Sequence, residues 1–315
     1  MSHTAEHMGL GIPGIIGNFP GVPAFFFVSG FLIYASYLHA PGRRYFENRL
    51  LRLCPGLVLV TLGGAAVVLI AHGWKSFFDN FSTFIAWVFA QTTLGQAYNP
   101  SLFRDVGVGV INGSLWTITV EILFYLSVPI IVWMEGRFRF TVVVLLVLSF
   151  LTCSVVPLLF TDHIYRDKTL YDFISLTPIA WGWMFGLGIL TVKYFDQVRP
   201  WLKYFPLLII PLAIMMFLGE GLLFGASGNR LGLVYFLCYA CLILWLAFTV
   251  PFVRLSFDLS YGVYIWHAPI INLFLILEIS RVSLVLALTF AIAGLSWFLV
   301  ESPMLKLKRK SLRSA

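Results

Sequence analysis

The stretch LCPGLVLVTLGGAAVVLIAH, from Leu53 to His72, is 20 residues long and contains no Asp, Glu, Lys or Arg. An α-helix needs about 20 apolar residues to cross the hydrocarbon core of a bilayer. Comparable stretches recur along the chain, which is 60% hydrophobic and 11% charged. Ordinary soluble domains carry about 25% charged residues. The composition therefore predicts an integral membrane protein that crosses the bilayer many times.

The apolar stretches also decide between helices and strands. They are continuous, whereas the strands of a membrane barrel alternate between apolar and polar residues over about 10 residues. The predicted fold class is therefore all-α, a polytopic bundle of membrane-spanning helices. The 21 Lys and Arg exceed the 14 Asp and Glu, but they lie in short loops beside apolar segments. Membrane topology explains this excess without a nucleic acid partner.

The four cysteines show no metal-ligand spacing, and each lies in or beside an apolar segment. Neither a disulfide framework nor a metal site is predicted from them. Small core side chains are the predicted role of Cys54, Cys153, Cys238 and Cys241.

Ten apolar segments can be drawn, and the third is the doubtful one. It contains Asp79, Asn80 and Gln91, and polar groups inside a membrane are costly unless protein or water surrounds them. We therefore expect this segment to be re-entrant or interfacial, which leaves about nine spans. The ten segments cover roughly 21–39, 53–72, 77–95, 112–134, 140–160, 173–195, 204–224, 231–250, 259–277 and 280–300.

The distribution of basic residues favours nine spans. If all ten segments crossed, the Arg-rich loop at 43–52 and the basic tail at 306–313 would lie on opposite sides, against the tendency of Lys and Arg to remain cytoplasmic. With nine spans both clusters are cytoplasmic, and 15 of the 21 Lys and Arg residues lie on that side. The N-terminus is then outside. Because a chain that begins outside without a preceding span is unusual, we expect that a first helix is missing.

Four motifs occur in order over almost the whole chain, although each alone is a weak signal. Together they resemble the membrane-bound acyltransferase 3 family, which includes polysaccharide and O-antigen O-acetyltransferases. The motifs are GVPAFFFVSGFLI at Gly21–Ile33, RRYFENRLLRLCP at Arg43–Pro55, NGSLWTITVEILFYLSVP at Asn112–Pro129 and LSYGVYIWHAPI at Leu259–Ile270.

The resemblance implies a reaction and a place for it. It implies a ten-helix bundle that uses cytoplasmic acyl-CoA, with acetyl as the expected acyl group, to modify a cell-surface or exported glycan such as an exopolysaccharide. No permanently bound cofactor is expected. The expected location is the bacterial plasma (inner) membrane. Residues 1–315 are then one transmembrane acyltransferase domain that lacks the first helix of the family and the Arg on that helix.

The resemblance matches His3 to the catalytic histidine of the family, with His7 as the alternative. Acyl transfer to a sugar hydroxyl needs a base near neutral pH, and imidazole, with an unperturbed pKa of about 6.5, suits that task. A solvated histidine at a frayed chain end is the competing interpretation.

Arg49 and Arg52 match an R-x-x-R motif of the family at the cytoplasmic end of a span. Two guanidinium groups three residues apart share one helix face and can hold phosphate oxygens in a fork that Lys cannot reproduce. Binding of the CoA phosphates is the hypothesis. The alternative is that both residues only anchor the helix and set its topology.

Glu121 is the only acidic residue well inside a predicted span. A carboxylate there is costly unless it is paired or neutral, so its position indicates function. It matches the Glu of the W-S-x-x-x-E motif, although a structural partner for a buried Arg is the competing interpretation. His267 matches the His of a family SYxxYLxH segment, and a polar contact between helices is the alternative to a chemical role.

The same motifs give three candidate substrate-binding residues, Ser29, Trp116 and Tyr261. Ser29, with Gly30, is first interpreted as part of a small-residue surface that lets two helices approach closely, with substrate lining as the alternative.

Two other classes of protein fit parts of the pattern. A helix bundle with a buried carboxylate is also typical of a proton-coupled transporter or flippase for a glycan or lipid-linked intermediate. Inverted repeats would support that reading, and the sequence shows no internal repeat. An inactive fragment is the third interpretation, since the expected first helix is missing.

Overall fold

A computed structural model describes residues 19–96, 98–155, 174–250, 257–279 and 281–313. The described chain is almost entirely helical, as continuous apolar stretches in a bilayer require, because only a helix satisfies every backbone N–H and C=O within the segment. The all-α prediction is confirmed. The main helices are α1 Gly21–His39, α2 Arg43–Asp79, α3 Phe81–Leu94, α4 Trp116–Glu135, α5 Thr141–Phe150, α6 Pro178–Lys193, α7 Ile209–Leu218, α8 Leu233–Thr249, α9 Ser260–Ile276, α10 Val282–Ser296 and α11 Ser302–Arg313.

Shorter elements connect or extend these helices. Two strands of two residues each, β1 Ala226–Ser227 and β2 Arg230–Leu231, form an antiparallel hairpin. The remaining elements are the π-helical turns Leu151–Val155 and Trp297–Glu301, the 3-10 helices Ser101–Phe103, Gly113–Leu115 and Arg199–Leu208, and the helical turns Phe195–Val198 and Gly221–Phe224.

Five of the described helical segments are long and apolar enough to cross a membrane, and shorter apolar helices accompany them. The protein is therefore a multi-pass membrane protein. The long segments are Gly21–His39, Arg43–Asp79, Gly113–Glu135, Phe195–Leu218 and Val282–Leu307.

A break in α2 directly precedes the doubtful third segment, residues 77–95. Gly73 has φ 73° and ψ 171°, which ends the regular part of α2, and glycine adopts a positive φ without steric cost. Helix α3 follows with 14 residues, or about 21 Å, which is shorter than the ~30 Å hydrocarbon core. The nine-span topology with this segment re-entrant or interfacial stays a prediction.

The described residues divide into two compact units. Unit 1 holds residues 43–122 and 257–313, and unit 2 holds residues 19–42 and 123–250. Helix α4 contributes its first turns to unit 1 and its remainder to unit 2. The prediction of one domain over 1–315 stays a prediction.

In unit 1, helices α2 and α9 approach closely through glycines of α2. A Cβ at Gly56 would lie 2.6 Å from Cε1 of Tyr261, and a Cβ at Gly63 would overlap the six-membered ring of Trp266. The two aromatic rings therefore occupy space that only a glycine leaves open. An apolar cluster beyond this contact packs α2, α3 and the following loop around Val67, Val68, Phe84, Trp87, Phe103, Val106 and Ile111.

In unit 2, α1 and α6 cross at paired glycines. A Cβ at Gly30 would overlap the carbonyl oxygen of Phe185, and a Cβ at Gly188 would overlap that of Phe27. Ser29 is buried beside this crossing. Gly30 lets the two helices approach closely, because any larger side chain there would separate them. The packing role of Ser29 stays an interpretation.

Three helices of unit 2 are joined by one partly buried carboxylate. Glu135 of α4 accepts a hydrogen bond of 2.8 Å from the Tyr34 hydroxyl of α1 and forms an ion pair with Lys193 of α6. A charge in an apolar bundle is stable only when it is paired in this way. The four cysteines are free thiols, and Cys238 is buried.

Candidate active site

The candidate site lies in unit 1, where the start of α4 meets α9. Between α3 and α4 the chain is largely non-helical and runs along α9 toward Ser260. Non-helical backbone at membrane depth persists only where protein groups satisfy its N–H and C=O groups. Two asparagines supply those partners.

Asn272 of α9 holds the loop that precedes α4. Its Oδ1 accepts from Val108 N at 2.8 Å, and its Nδ2 donates to the carbonyl oxygens of Val110 and Ile111, each at 2.9 Å. Asn272 is fully buried. Gly107, with φ 55°, passes so close that a Cβ would overlap Asn272 Oδ1. The loop is therefore fixed against α9 by side-chain amide contacts.

Asn112 repairs a defect that proline creates in α9. Pro269 has no N–H, so the carbonyl of Ile265, four residues earlier, lacks its helical donor. The Asn112 Nδ2 donates to that carbonyl oxygen at 2.9 Å, and its Oδ1 accepts from the Ser114 hydroxyl at 2.5 Å. Both ends of the Asn112 amide are thus used, which fixes the beginning of the NGSLW segment.

A chain of hydroxyl groups links α4 to α9. Tyr264 donates to the carbonyl oxygen of Ser114 at 2.9 Å, and its oxygen lies 2.6 Å from the hydroxyl of Thr117. Thr117 Oγ1 also lies 3.3 Å from the same carbonyl oxygen, so either hydroxyl can be the donor in the contact between Tyr264 and Thr117. Thr117 is fully buried.

Glu121 lies one helical turn beyond Thr117, on the same face of α4. Its carboxylate interacts electrostatically with the hydroxyls of Tyr261 and Tyr264 on α9. Tyr261 donates to the carbonyl oxygen of Leu53 at 2.9 Å, which ties the same cluster to α2. The predicted intramembrane carboxylate therefore lies within electrostatic range of two phenolic groups of the SYGVYIWHAPI motif.

His267 has a defined neutral tautomer. Its Nδ1 lies 2.6 Å from the carbonyl oxygen of Tyr264, and a carbonyl oxygen can only accept. The proton must therefore reside on Nδ1, which leaves a lone pair on Nε2 when the ring is neutral. Such a tautomer can accept a proton at Nε2.

The two predicted phosphate-binding arginines lie on α2 near the start of α9. Arg52 Nη2 is 3.5 Å from Asp258 Oδ2, with both side chains about half exposed. Asp258 Oδ1 accepts from Ser260 N at 3.1 Å and so caps the beginning of α9. Arg49 lies over the ring of Tyr45, 5.8 Å from its centroid.

A buried carboxylate, Glu301, belongs to this end of unit 1. Glu301 follows the last predicted span by one residue and is only 4% exposed. It accepts from the Ser296 hydroxyl at 2.6 Å and interacts electrostatically with Arg52, Asp258 and Tyr261. Unit 1 thus has an acidic residue that the sequence interpretation did not single out.

The structure brings together three of the eight predicted site residues. Glu121, Tyr261 and His267 belong to one polar cluster, and Trp116 begins the helix that carries Glu121. Ser29 lies in unit 2, so its substrate-binding role stays a prediction. His3 and His7 lie outside the described residues. In the described ranges no group of three His, Cys, Asp or Glu side chains is placed to hold a metal ion.

Sequence reasoning missed four residues that shape the cluster. Asn112, Thr117 and Tyr264 were quoted within motifs without a role, and Asn272 lies outside the motifs. Only Pro269 offered a signal, because a proline inside an apolar helix predicts an unsatisfied carbonyl four residues earlier.

These helices, with their buried carboxylate and oriented histidine, define an integral membrane protein with a polar site. The chain matches the acyltransferase 3 family, described as an acyltransferase domain, over residues 1–301. It therefore belongs to that family and is a membrane acyltransferase. Nodulation protein 10 of Rhizobium leguminosarum bv. viciae is 28% identical over 340 residues, which cover 98% of this chain and 89% of that protein. No solved structure matches the chain.

Proposed function

We propose that this acyltransferase moves an acyl group, expected to be acetyl, from cytoplasmic acyl-CoA to a hydroxyl of an exported or cell-surface glycan. The proposal rests on the cluster of Glu121, Tyr261, Tyr264 and His267 inside an apolar helical unit. Ionisable groups in such surroundings are costly and are typical of functional sites. Membership of an acyltransferase family supplies the reaction class.

The proposed reaction begins with removal of the hydroxyl proton by a base. The hydroxyl oxygen attacks the acyl carbonyl carbon and forms a C–O bond, and negative charge develops on the carbonyl oxygen. The C–S bond then breaks, and CoA leaves as a thiolate that takes up a proton. In the alternative route, a histidine nitrogen first takes the acyl group as the C–S bond breaks and CoA leaves. The acceptor hydroxyl then takes the acyl group as the C–N bond breaks and the histidine is restored.

Histidine is the proposed base in this reaction. His3 is the first candidate, His7 is the alternative, and His267 is the third candidate because its Nε2 carries a lone pair. A carboxylate near an imidazole stabilises the positive charge that the ring gains with the proton. Glu121 is proposed to supply that charge.

Arg49 and Arg52 are the proposed contacts for the CoA phosphates. The pair between Arg52 and Asp258 is long at 3.5 Å and half exposed, and ion pairs of this kind contribute little stability. A phosphate can therefore replace Asp258 at Arg52 at small cost. Charge-assisted contacts with phosphate are stronger than neutral hydrogen bonds.

The setting of the reaction completes the proposal. The protein is proposed to act in a bacterial plasma membrane, with acyl-CoA as donor substrate and without a permanently bound cofactor. The acceptor glycan, whether O-antigen, exopolysaccharide or another polysaccharide, is to be identified from the position that becomes acylated.

Comparison of surface polysaccharide from cells with and without the gene tests the proposal. NMR or mass spectrometry should show an acyl ester that disappears when the gene is removed and returns with a plasmid copy. Its position names the acceptor hydroxyl. Retention of every acyl ester in the deletion strain would overturn the glycan assignment.

A further inference from the structure

One buried hydrogen-bond donor of the cluster has no partner among the described residues. Trp266 is 8% exposed, and its Nε1 is completely buried without a hydrogen bond. Most buried polar groups in native proteins are paired with protein or water, and an unpaired one calls for an explanation. Trp266 directly precedes His267 on α9.

The packing of the indole ring shows which edge of it faces α2. Gly63 of α2 faces atoms Cε3, Cζ3 and Cη2 of Trp266, which belong to the six-membered ring. The Nε1 lies on the other ring of the indole and therefore points away from Gly63. The glycine at position 63 leaves the space that the ring occupies, because any side chain there would overlap it.

A second tryptophan provides a comparison. Trp87 is 1% exposed, and its Nε1 also has no hydrogen-bond partner in the described part of the chain. Trp87 packs within the apolar cluster, against Phe84 and Phe103. Trp266 instead belongs to the helix that carries Tyr264 and His267.

We infer that Trp266 Nε1 donates a hydrogen bond to the carbonyl oxygen of the acyl group carried by acyl-CoA. The inference rests on the proposed function, because the acyl thioester must enter the cluster of α4 and α9. The carbonyl oxygen gains negative charge when the acceptor hydroxyl attacks, and a fixed N–H donor stabilises that charge. Trp266 is thus assigned direct contact with the donor substrate.

Acetyl-CoA and S-ethyl-CoA test this contact without knowledge of the glycan. S-ethyl-CoA is a thioether that retains the CoA phosphates and lacks the carbonyl oxygen. Wild-type protein in detergent should bind acetyl-CoA about 3- to 10-fold more tightly than S-ethyl-CoA, as expected for one neutral hydrogen bond. In Trp266→Phe the two affinities should become equal.

Trp87→Phe is the matched control, because it removes an equally buried indole N–H outside the cluster. It should keep the wild-type preference for acetyl-CoA. Unchanged affinity for CoA itself shows that Trp266→Phe retains its fold and its phosphate contacts.

The outcomes separate the inference from the proposed function. One outcome is that wild-type protein binds acetyl-CoA while Trp266→Phe binds CoA normally and keeps the preference for acetyl-CoA. In that case the inference about Trp266 is wrong, and the proposal that acyl-CoA is the acyl donor remains. If wild-type protein binds neither CoA nor acetyl-CoA, the acyl-CoA proposal fails and the inference falls with it.

Discussion

The Asn112 side-chain amide donates to the main-chain carbonyl oxygen of Ile265 at 2.9 Å, across 153 residues of sequence. That carbonyl has no helical donor because Pro269 lacks an N–H. The contact therefore satisfies a defect inside a membrane helix and fixes the segment that leads into α4. It places the helix that carries Glu121 against the helix that carries His267.

Replacement of Asn112 by Ala should destabilise the protein. The Ile265 carbonyl would then be buried without a donor, which costs about 1–3 kcal/mol. Thermal unfolding of purified protein in detergent should show a lower midpoint.

Pro269→Ala tests whether Asn112 stabilises the protein through the Ile265 carbonyl, because an alanine at 269 restores an N–H to the helix. In the Pro269→Ala background, Asn112→Ala should cost clearly less than in the wild type, which a double-mutant cycle measures. Equal losses in both backgrounds would show that Asn112 acts through other contacts.

The sequence predicts the helices well because each apolar stretch is long enough to require a helix in lipid. Glu121 was singled out by its position inside a span as well as by the family motif, whereas Tyr261 and His267 came from the motif alone, and the roles of all three stay predictions. The loop at 107–111 was not predicted, because one buried asparagine, Asn272, holds it in place. A single polar residue in a helix has no periodicity that reveals its partners.

Glu301 is a second residue whose burial could not be predicted from the sequence. The predicted span ended at residue 300, so this carboxylate lay outside it. A π-helical turn over Trp297–Glu301 continues the helix without interruption and buries the side chain. Hydropathy marks the end of an apolar stretch, whereas burial depends on neighbouring helices that the stretch does not encode.

Arg49→Lys and Arg52→Lys should each weaken acyl-CoA binding while charge and topology are retained. Lysine lacks the planar fork that holds phosphate oxygens in two contacts. The loss of one charge-assisted contact should reduce affinity about 10- to 150-fold. Arg43→Lys is the control, since Arg43 pairs with Glu47 at the surface of the same helix. Wild-type affinity in both test variants would leave Arg49 and Arg52 as topology anchors.

Asp258→Asn should change acyl-CoA affinity in the opposite direction. An asparagine oxygen can still accept from Ser260 N and cap α9, but it no longer competes with phosphate for Arg52. We expect affinity to increase about 2- to 5-fold, in line with the weak energy of exposed ion pairs. Calorimetric titration with CoA measures this, and weaker binding would show that Asp258 helps to position Arg52.

The predicted topology places residues 40–52 and 303–315 in the cytoplasm and residues 77–111 outside. Single cysteines in a background without the four native ones should be labelled accordingly by impermeant reagents in intact cells and in inverted vesicles. Labelling of the 96–111 loop only from the cytoplasm would refute the re-entrant assignment of segment 77–95.

Substitution of His3 by Ala should abolish most transfer without loss of stability, because the residue lies outside the apolar segments. If His3 is the base, transfer should fall roughly 10²- to 10⁴-fold, the usual contribution of general base catalysis, while His7→Ala has a mild effect. His39→Ala, exposed at the end of α1, controls for a surface histidine. The acyl ester on surface polysaccharide and the unfolding temperature are measured for each variant. Full activity of His3→Ala with an inactive His7→Ala would move the assignment to His7. Full activity of both would exclude them and leave His267, whose Nε2 carries the lone pair that a base needs.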